Sequence, residues 1–339
     1  MNQFDKILGA FLGAAVGDAM GAATEMRTTE QIIEYFGGPV REFKEPPADT
    51  FARGRKPGQV TDDFSLAYFL AKAIVRHNGK LDFEVVKEAL LEWGNTEEYF
   101  VPFAGPTTRA AIEKLKGNEV QKKDEIVNHN ATATNGSAMK IFPVGLLNAG
   151  NIEQAIEDAA QVCVPTHNNH LSISGACAVA AAVSKAMEDD ADVYSIVQAG
   201  LYGARKGEEI GRQIGHIVAG PSVVKRMELA IEIGLKARTI DEAMEEISDV
   251  VGSGLHISEA VPAAFGIFVA CKGNTMDCIC AGVNIGNDTD TVATMVGAIA
   301  GAYNGVESLP KEYLSIINES NNFGLDELAK EFEKIVRRG

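Results

Sequence analysis

Apolar residues recur along this chain with the 3.6-residue period of helices, and hardly anywhere with the period of two and the turn signals that mark strands. Residues 4–24 read as a helix in which Gly9, Gly13, Gly17 and Gly21 stand four apart and therefore share one narrow stripe. An Ala- and Gly-rich run after Asp290 repeats the device with Gly297, Gly301 and Gly305. Each such glycine costs a helix roughly 1 kcal/mol against alanine, so the close approach of another backbone or a ligand must offset it. The two helices are expected to lie against each other at the centre of the fold.

Leu66, Phe69, Leu70, Ala73 and Ile74 continue a helix that starts after Thr61. Residues 81–128 are helical in pattern with a break at Gly105-Pro106, and their Trp93, Tyr99, Phe100 and Phe103 suit a core or a groove wall. An Ala-rich helix is expected from Ser172 to Met187, two amphipathic helices within 195–250 around Gly220-Pro221, and a helix carrying Glu259 and Phe265 after Gly252-Ser253-Gly254. A charged amphipathic helix over 325–338 should pack on the outside. Residues 37–60, punctuated by Gly37-Gly38-Pro39, Pro46-Pro47, Gly54 and Pro57-Gly58, form a long irregular connection expected to act as a lid. The whole predicts an all-α fold, a compact orthogonal helical bundle, with no linker dividing residues 1–339 into more than one domain.

Composition narrows the function classes. With 339 residues, 46% of them hydrophobic, the chain can bury a large core. Its formal net charge of −16 argues against nucleic acid or an anionic membrane as partner, since both would be repelled at long range. An anionic small ligand stays possible where a local cation or a cluster of N–H groups overrides that field. Cys163, Cys177, Cys271, Cys278 and Cys280 make neither a disulfide framework nor a paired zinc pattern, and read as buried reduced thiols. The start lacks a signal-peptide pattern and no window reaches the roughly 18 apolar residues of a spanning helix, so a cytoplasmic location is expected.

Two acidic turns open directly onto helices. Asp288, Asp290 and Thr291 precede the second glycine-striped run, and Thr61, Asp62 and Asp63 precede the helix through Leu66. One carboxylate at a helix start is ordinary capping, but two beside a hydroxyl exceed what a cap requires and repel each other unless a cation intervenes. Capping and metal binding both fit each turn taken alone. Taken together the six residues offer only oxygen, the donor set of hard cations such as Mg²⁺ or Mn²⁺ rather than zinc. If the turns converge, they could hold two ions and position a water beside a hydroxylated substrate.

Asp18 interrupts the first helix, where a buried carboxylate bonded to backbone is the plain reading, and Glu25 stands where that helix gives way, a candidate acid or base at a cleft mouth. Asn135-Gly136-Ser137-Ala138-Met139-Lys140 is a small-residue turn ending in a cation, suited either to a plain turn or to phosphate and sugar hydroxyls. His167 and His170 lack a third ligand for a metal, and His167 suits a hydrogen-bonded place in a pocket.

With these motifs assembled, the chain resembles the ADP-ribosylglycohydrolase family from about residue 5 to 306. The matching stretches are Gly-Asp-Ala-Met-Gly at 17–21 with Glu25 after it, Thr-Asp-Asp at 61–63, Asn-Gly-Ser-Ala-Met-Lys at 135–140, Thr-His at 166–167 and Gly-Asn-Asp-Thr-Asp-Thr at 286–291. The resemblance implies an all-α enzyme that hydrolyses the bond joining ADP-ribose to an acceptor, with two Mg²⁺ ions between the acidic motifs. Carried onto matching positions, Thr61, Asp62, Asp63, Asp288, Asp290 and Thr291 would be ligands, and Glu25 and Asp63 would serve catalysis. The turn containing Asn135, Gly136, Ser137, Met139 and Lys140 would touch ribose and phosphates, with His167 nearby.

Two positions depart from the family pattern. Phe64 stands where a small hydroxyl residue is common, and its ring would narrow the pocket or stack on a base. Lys140 replaces a frequent Arg and lacks the bidentate fork for phosphate. They leave room for a second reading, a nucleosidase-like hydrolase of a small N-ribosyl compound. A third is a non-catalytic ADP-ribose-binding or structural protein, which would not need the full ligand set.

Overall fold

The computed structural model describes residues 1–118 and 128–336, and among these every regular element is helical. The chain opens with α1 (Gln3–Gly21), α2 (Thr29–Phe36) and α3 (Asp62–Arg76), followed by α4 (Phe83–Gly94), α5 (Glu97–Phe103) and α6 (Pro106–Leu115). Then come α7 (Phe142–Leu147), α8 (Ile152–Cys163), α9 (His170–Ala186), α10 (Val193–Ile214), α11 (Val223–Lys236) and α12 (Ile240–Val250). The end of the chain supplies α13 (Ile257–Ala270), α14 (Thr275–Asn284), α15 (Thr289–Asn304), α16 (Lys311–Asn321) and α17 (Leu325–Glu333). Isolated bridges, Thr134 with His256 and Asn169 with His216, are the β-type pairings among the described residues.

α1 is buried from Lys6 to Gly21, because small and apolar residues occupy its whole circumference and it has no solvent face. Its glycine stripe meets that of α15 as expected. A Cβ built on Gly13 would lie 2.3 Å from Gly297 O, and one built on Gly9 would lie 2.4 Å from Gly301 O. Backbone therefore packs on backbone along the full length of both helices. Lys6, the charge buried at the start of α1, donates to Ala186 O (2.8 Å) and Glu188 O (2.7 Å), closing the C-terminal end of α9.

Three expectations change. Residues 195–250 hold three helices, because Thr239 caps a separate α12 by accepting from Glu242 N (3.1 Å), a break that the continuing apolar period conceals. The 37–60 connection is clamped down rather than free: Arg55 pairs with Glu98 (2.6 Å) over the Tyr99 and Phe103 rings, and Val60 N donates to Asn321 Oδ1 (2.9 Å). The C-terminal helix packs on the outside as expected, with Phe332 fully buried edge-on to Phe11 at 5.7 Å, but it ends at Glu333, and residues 337 and 338 lie outside the described residues. Of the helical pattern over 81–128, residues 119–127 lie outside the described residues. All five cysteines are free thiols, four of them buried.

Candidate active site

α1 sets the distance between the two acidic turns. Its last glycine, Gly21, packs so close to the start of α15 that a Cβ there would lie 2.4 Å from Asp290 Cα. One turn earlier, Asp18 is fully buried and its carboxylate accepts from Thr61 N (3.0 Å), Thr61 Oγ1 (2.8 Å) and Phe64 N (2.9 Å). The start of α3 is thereby fastened to the helix on which α15 rests. The turn after α1 is also stitched to the turn before α15. Met26 N donates to Asn287 O and Asn287 N to Arg27 O, both at 2.8 Å, while Met26 and Asn287 hold left-handed φ of 66° and 64°. Left-handed backbone is uncommon in side-chain-bearing residues and persists where the surroundings over-determine it. Thr24 Oγ1 donates to Val283 O at 2.6 Å and completes the seam.

The result is a convergence of carboxylates. Single oxygen atoms of Glu25, Asp288 and Asp290 all lie within 4.8 Å of one another. Thr291 hydrogen-bonds Asp63, which joins the α3 turn to the α15 turn. Asp63, Asp288 and Asp290 are buried, whereas Glu25 and Asp62 are partly exposed.

The plain capping reading does not account for these groups. Asp288 occupies the N-cap position of α15, yet its side chain makes no cap bond and instead accepts from Asn135 Nδ2 at 2.7 Å. Asp63 Oδ2 is buried with no hydrogen-bond partner, a costly condition for a carboxylate oxygen. Burial and then mutual repulsion push the protons on: Glu25 rises to about 8 through burial, Asp288, Asp62 and Asp18, and Asp62 to about 8 through burial and Asp18. Asp63 and Asp290 are raised well above the carboxylate range for the same reasons, burial first. An orphaned carboxylate oxygen within an oxygen-only cluster of like charges fits a hard divalent cation, and Glu25, Asp288 and Asp290 have oxygen atoms close enough together to hold one.

The Asn135–Lys140 turn lies beside this cluster, but several of its polar groups are spent internally. Ser137 Oγ donates to Ser172 O (3.0 Å), and Lys140 is buried with its ammonium donating to Gly136 O. Burial lowers Lys140 to about 8, while Cys163, Asp62 and Asp63 hold it up. Lys140 is thus a counter-charge beneath the turn rather than an exposed phosphate hook. Asn135 is committed to Asp288 as well, and Gly136 and Met139 are buried in the same turn. His167 sits under Gly136, bonded to Thr166 Oγ1 (2.9 Å) and Thr134 Oγ1 (3.0 Å). Burial holds it neutral, well below its usual range.

Phe64 is the clearest departure from the expected pocket wall. Its ring is fully buried, stacked on Phe142 at 6.2 Å and close to Phe323 at 5.9 Å, because the first turn of α3 directs this position into the aromatic core. It narrows no pocket, which leaves Lys140 as the one departure that favours a smaller substrate. His170 is buried and accepts weakly from Val218 N. Asp18 is the buried, backbone-bonded carboxylate expected from the sequence, but the sequence does not name its partners Thr61 and Phe64, nor the bond of Asn135 to Asp288. The signal for the first was present: a lone charge amid an apolar, glycine-spaced helix needs a specific partner.

The family model for ADP-ribosylglycohydrolase matches residues 1–338. The chain belongs to the ADP-ribosylglycohydrolase family. As a family member it is a hydrolase of glycosyl bonds, and the family supports ADP-ribosyl hydrolase activity. Among its relatives, this glycohydrolase is 31% identical to a protein of Escherichia coli (strain K12) named "Uncharacterized protein YegU", with 93% of each chain covered. It is 26% identical to the ADP-ribosyl-[dinitrogen reductase] glycohydrolase of Rhodospirillum rubrum over 92% of this chain and 90% of that one. A solved structure described as an ADP-ribosylglycohydrolase-related protein complex superposes with a TM-score of 0.68 at 24% identity, covering 99% of both chains, which shows the shared helical fold. No helix among the described residues is long and apolar enough to cross a membrane.

Proposed function

We propose that this chain is a divalent-cation-dependent hydrolase that releases ADP-ribose from an acceptor, either a modified protein side chain or a small molecule. The observation that carries the reading is Asp63 Oδ2, a buried carboxylate oxygen without a partner amid Glu25, Asp62, Asp288 and Asp290. The name of the Rhodospirillum rubrum relative supports an ADP-ribosylated protein as the substrate class.

Asp62 and Asp63 from α3, and Asp288 and Asp290 from α15, hold the cation site with the hydroxyls of Thr61 and Thr291. Two Mg²⁺ ions bound there, or Mn²⁺ in their stead, would polarise ribose hydroxyls and lower the pKa of a water. Glu25 is partly exposed and lies close to Asp288 and Asp290, so it can exchange a proton with water or the leaving group. Asp63, at 3% exposure, is too enclosed for that exchange and serves by holding charge. Asn135 fixes one oxygen of Asp288, and Lys140 balances part of the negative charge from beneath. The neutral His167 keeps the turn in place through its two threonine partners.

The test is ADP-ribose release from ADP-ribosyl-arginine protein, ADP-ribosyl-serine peptide and a nucleoside panel, with Mg²⁺ or with chelator, and with Asp62→Ala as control. Metal-dependent release of ADP-ribose is expected and identifies the acceptor. Release of free base from nucleosides alone would replace this reading with a nucleosidase, and silence across the panel in a metal-binding protein would favour a binding role.

A further inference from the structure

We propose that Asp18 is a positioning residue for the cation site: it accepts the hydrogen bond of the Thr61 hydroxyl and so leaves that oxygen's lone pair turned toward the cation. This inference rests on the divalent-cation reading above.

A buried carboxylate in the middle of an apolar helix has to be explained by its partners. Asp18 is 0% exposed, and every donor that reaches it belongs to the turn that starts α3. Part of this is capping supplied from another helix. Thr61 is a weak cap for its own helix, its Oγ1 lying 3.4 Å from Asp63 N, and Asp18 satisfies Thr61 N and Phe64 N instead.

Capping needs only an acceptor for the two N–H groups. The third contact, Thr61 Oγ1 donating to Asp18 Oδ1 at 2.8 Å, does something further. A hydroxyl carries one proton and two lone pairs. With the proton directed at Asp18 and one lone pair turned to Asp63 N–H, the second lone pair has no hydrogen-bond partner among the described residues, although Thr61 is 1% exposed. Without Asp18 the proton is free to rotate toward Asp62 or Asp63 and to occupy a carboxylate oxygen that a cation would use. An ionised carboxylate suits this task because it is acceptor-only. Asparagine would have to turn its NH₂ toward an N–H or O–H donor.

The placement of Asp18 follows from the glycine stripe. Gly17 and Gly21 seat α1 against Ala293 and Asp290 of α15, and Asp18 lies between them facing α3. One helix thus fixes the position of the α15 turn by contact and the α3 turn by hydrogen bonds.

The experiment is a thermodynamic cycle on Mg²⁺ affinity, measured by isothermal titration calorimetry with wild type, Asp18→Asn, Thr61→Val and the double variant. Each single variant is expected to weaken Mg²⁺ binding about 10–100-fold, the range for partners that orient a ligand. The double variant should be within about threefold of the weaker single one, since both act on one hydroxyl. Losses that multiply, or wild-type affinity in Asp18→Asn, would overturn the proposal. Thr61→Ser retains the hydroxyl and should bind nearly as wild type does. A wild type that binds no Mg²⁺ would overturn the cation reading itself, whereas a wild type that binds without coupling overturns only the role of Asp18. Should Asp18→Asn not fold, neutron diffraction on the wild type decides the matter: the deuterium on Thr61 Oγ is expected to point at Asp18 Oδ1, and one pointing into the carboxylate cluster contradicts the assignment.

Discussion

Replacing Gly17 with alanine tests whether helix contact sets the spacing of the acidic turns. The added Cβ would lie 2.3 Å from Ala293 O and 2.5 Å from Ala293 C, both backbone atoms that cannot rotate away. Restoring ordinary contact requires α1 and α15 to part locally by about 1 Å, and overpacking of this kind costs ~1–3 kcal/mol. The better helix propensity of alanine returns roughly 1 kcal/mol. The net loss is at most about 2 kcal/mol, which lowers Tm by up to roughly 3 °C in a chain of this size. Ala293 stands one turn from Asp290, so the same displacement moves Asp290 and Thr291 away from Asp63. Mg²⁺ affinity should fall about 10-fold or more, as it does when groups that orient ligands are disturbed. Gly9→Ala is the comparison, because its Cβ would meet Gly301 O at 2.4 Å, about 16 Å along α15 from Asp290. It should lower Tm similarly and leave Mg²⁺ affinity within about threefold, the usual limit for distant, independent sites. Gly105→Ala, with no atom within 4 Å of the new Cβ, should change neither. Thermal melts and calorimetry on the three variants suffice. A Gly17→Ala protein with unchanged Tm and unchanged metal affinity would refute the spacing argument.

Other outcomes follow from the site. Glu25→Gln should lower kcat about 10²–10⁴-fold, the usual contribution of acid or base assistance, and full activity in steady-state kinetics would reject that role. Asn135→Ala leaves Asp288 Oδ2 without its donor and should destabilise the protein by ~1–3 kcal/mol in the presence of chelator, measured by denaturant melts; a neutral substitution would show the bond to be dispensable. The folded pKa of Glu25 and of Asp62 lies at about 8, above the unfolded value near 4, so their contribution to stability is complete below pH ~4 and is lost as pH rises toward 8. Buried His167 contributes the opposite trend only below its unfolded pKa of about 6.5. Chelated protein should therefore lose Tm between pH 6.5 and 8, and Mg²⁺ should abolish the loss; a chelated Tm that rises over this interval would contradict the cluster electrostatics.

Much of this arrangement is legible in the sequence because the chemistry demands local patterns. Glycines spaced by four announce that backbone must meet backbone, and they do so at Gly13 and Gly297. Acidic pairs at helix starts mark the two turns, although their spacing in sequence does not say that Glu25 joins Asp288 and Asp290. What sequence did not disclose is orientation. Lys140 and Ser137 lie in a turn that reads as a ligand cradle, yet their polar atoms bond to Gly136 and Ser172, since the turn itself needs fastening. Phe64 follows the acidic pair directly, but a helix rotates successive residues by about 100°, which carries the ring into the core. The division of 195–250 into three helices depended on one capping threonine within an unbroken apolar period.

The proposed divalent metal centre is formed by carboxylates at the starts of α3 and α15. Anomalous diffraction from crystals grown with Mn²⁺ tests it most directly. Anomalous density is expected between Asp63 and Asp290, with Asp63 Oδ2 among the coordinating atoms. Crystals that show no anomalous density there at saturating Mn²⁺, with Asp63 Oδ2 satisfied by a protein donor or a water, would contradict it.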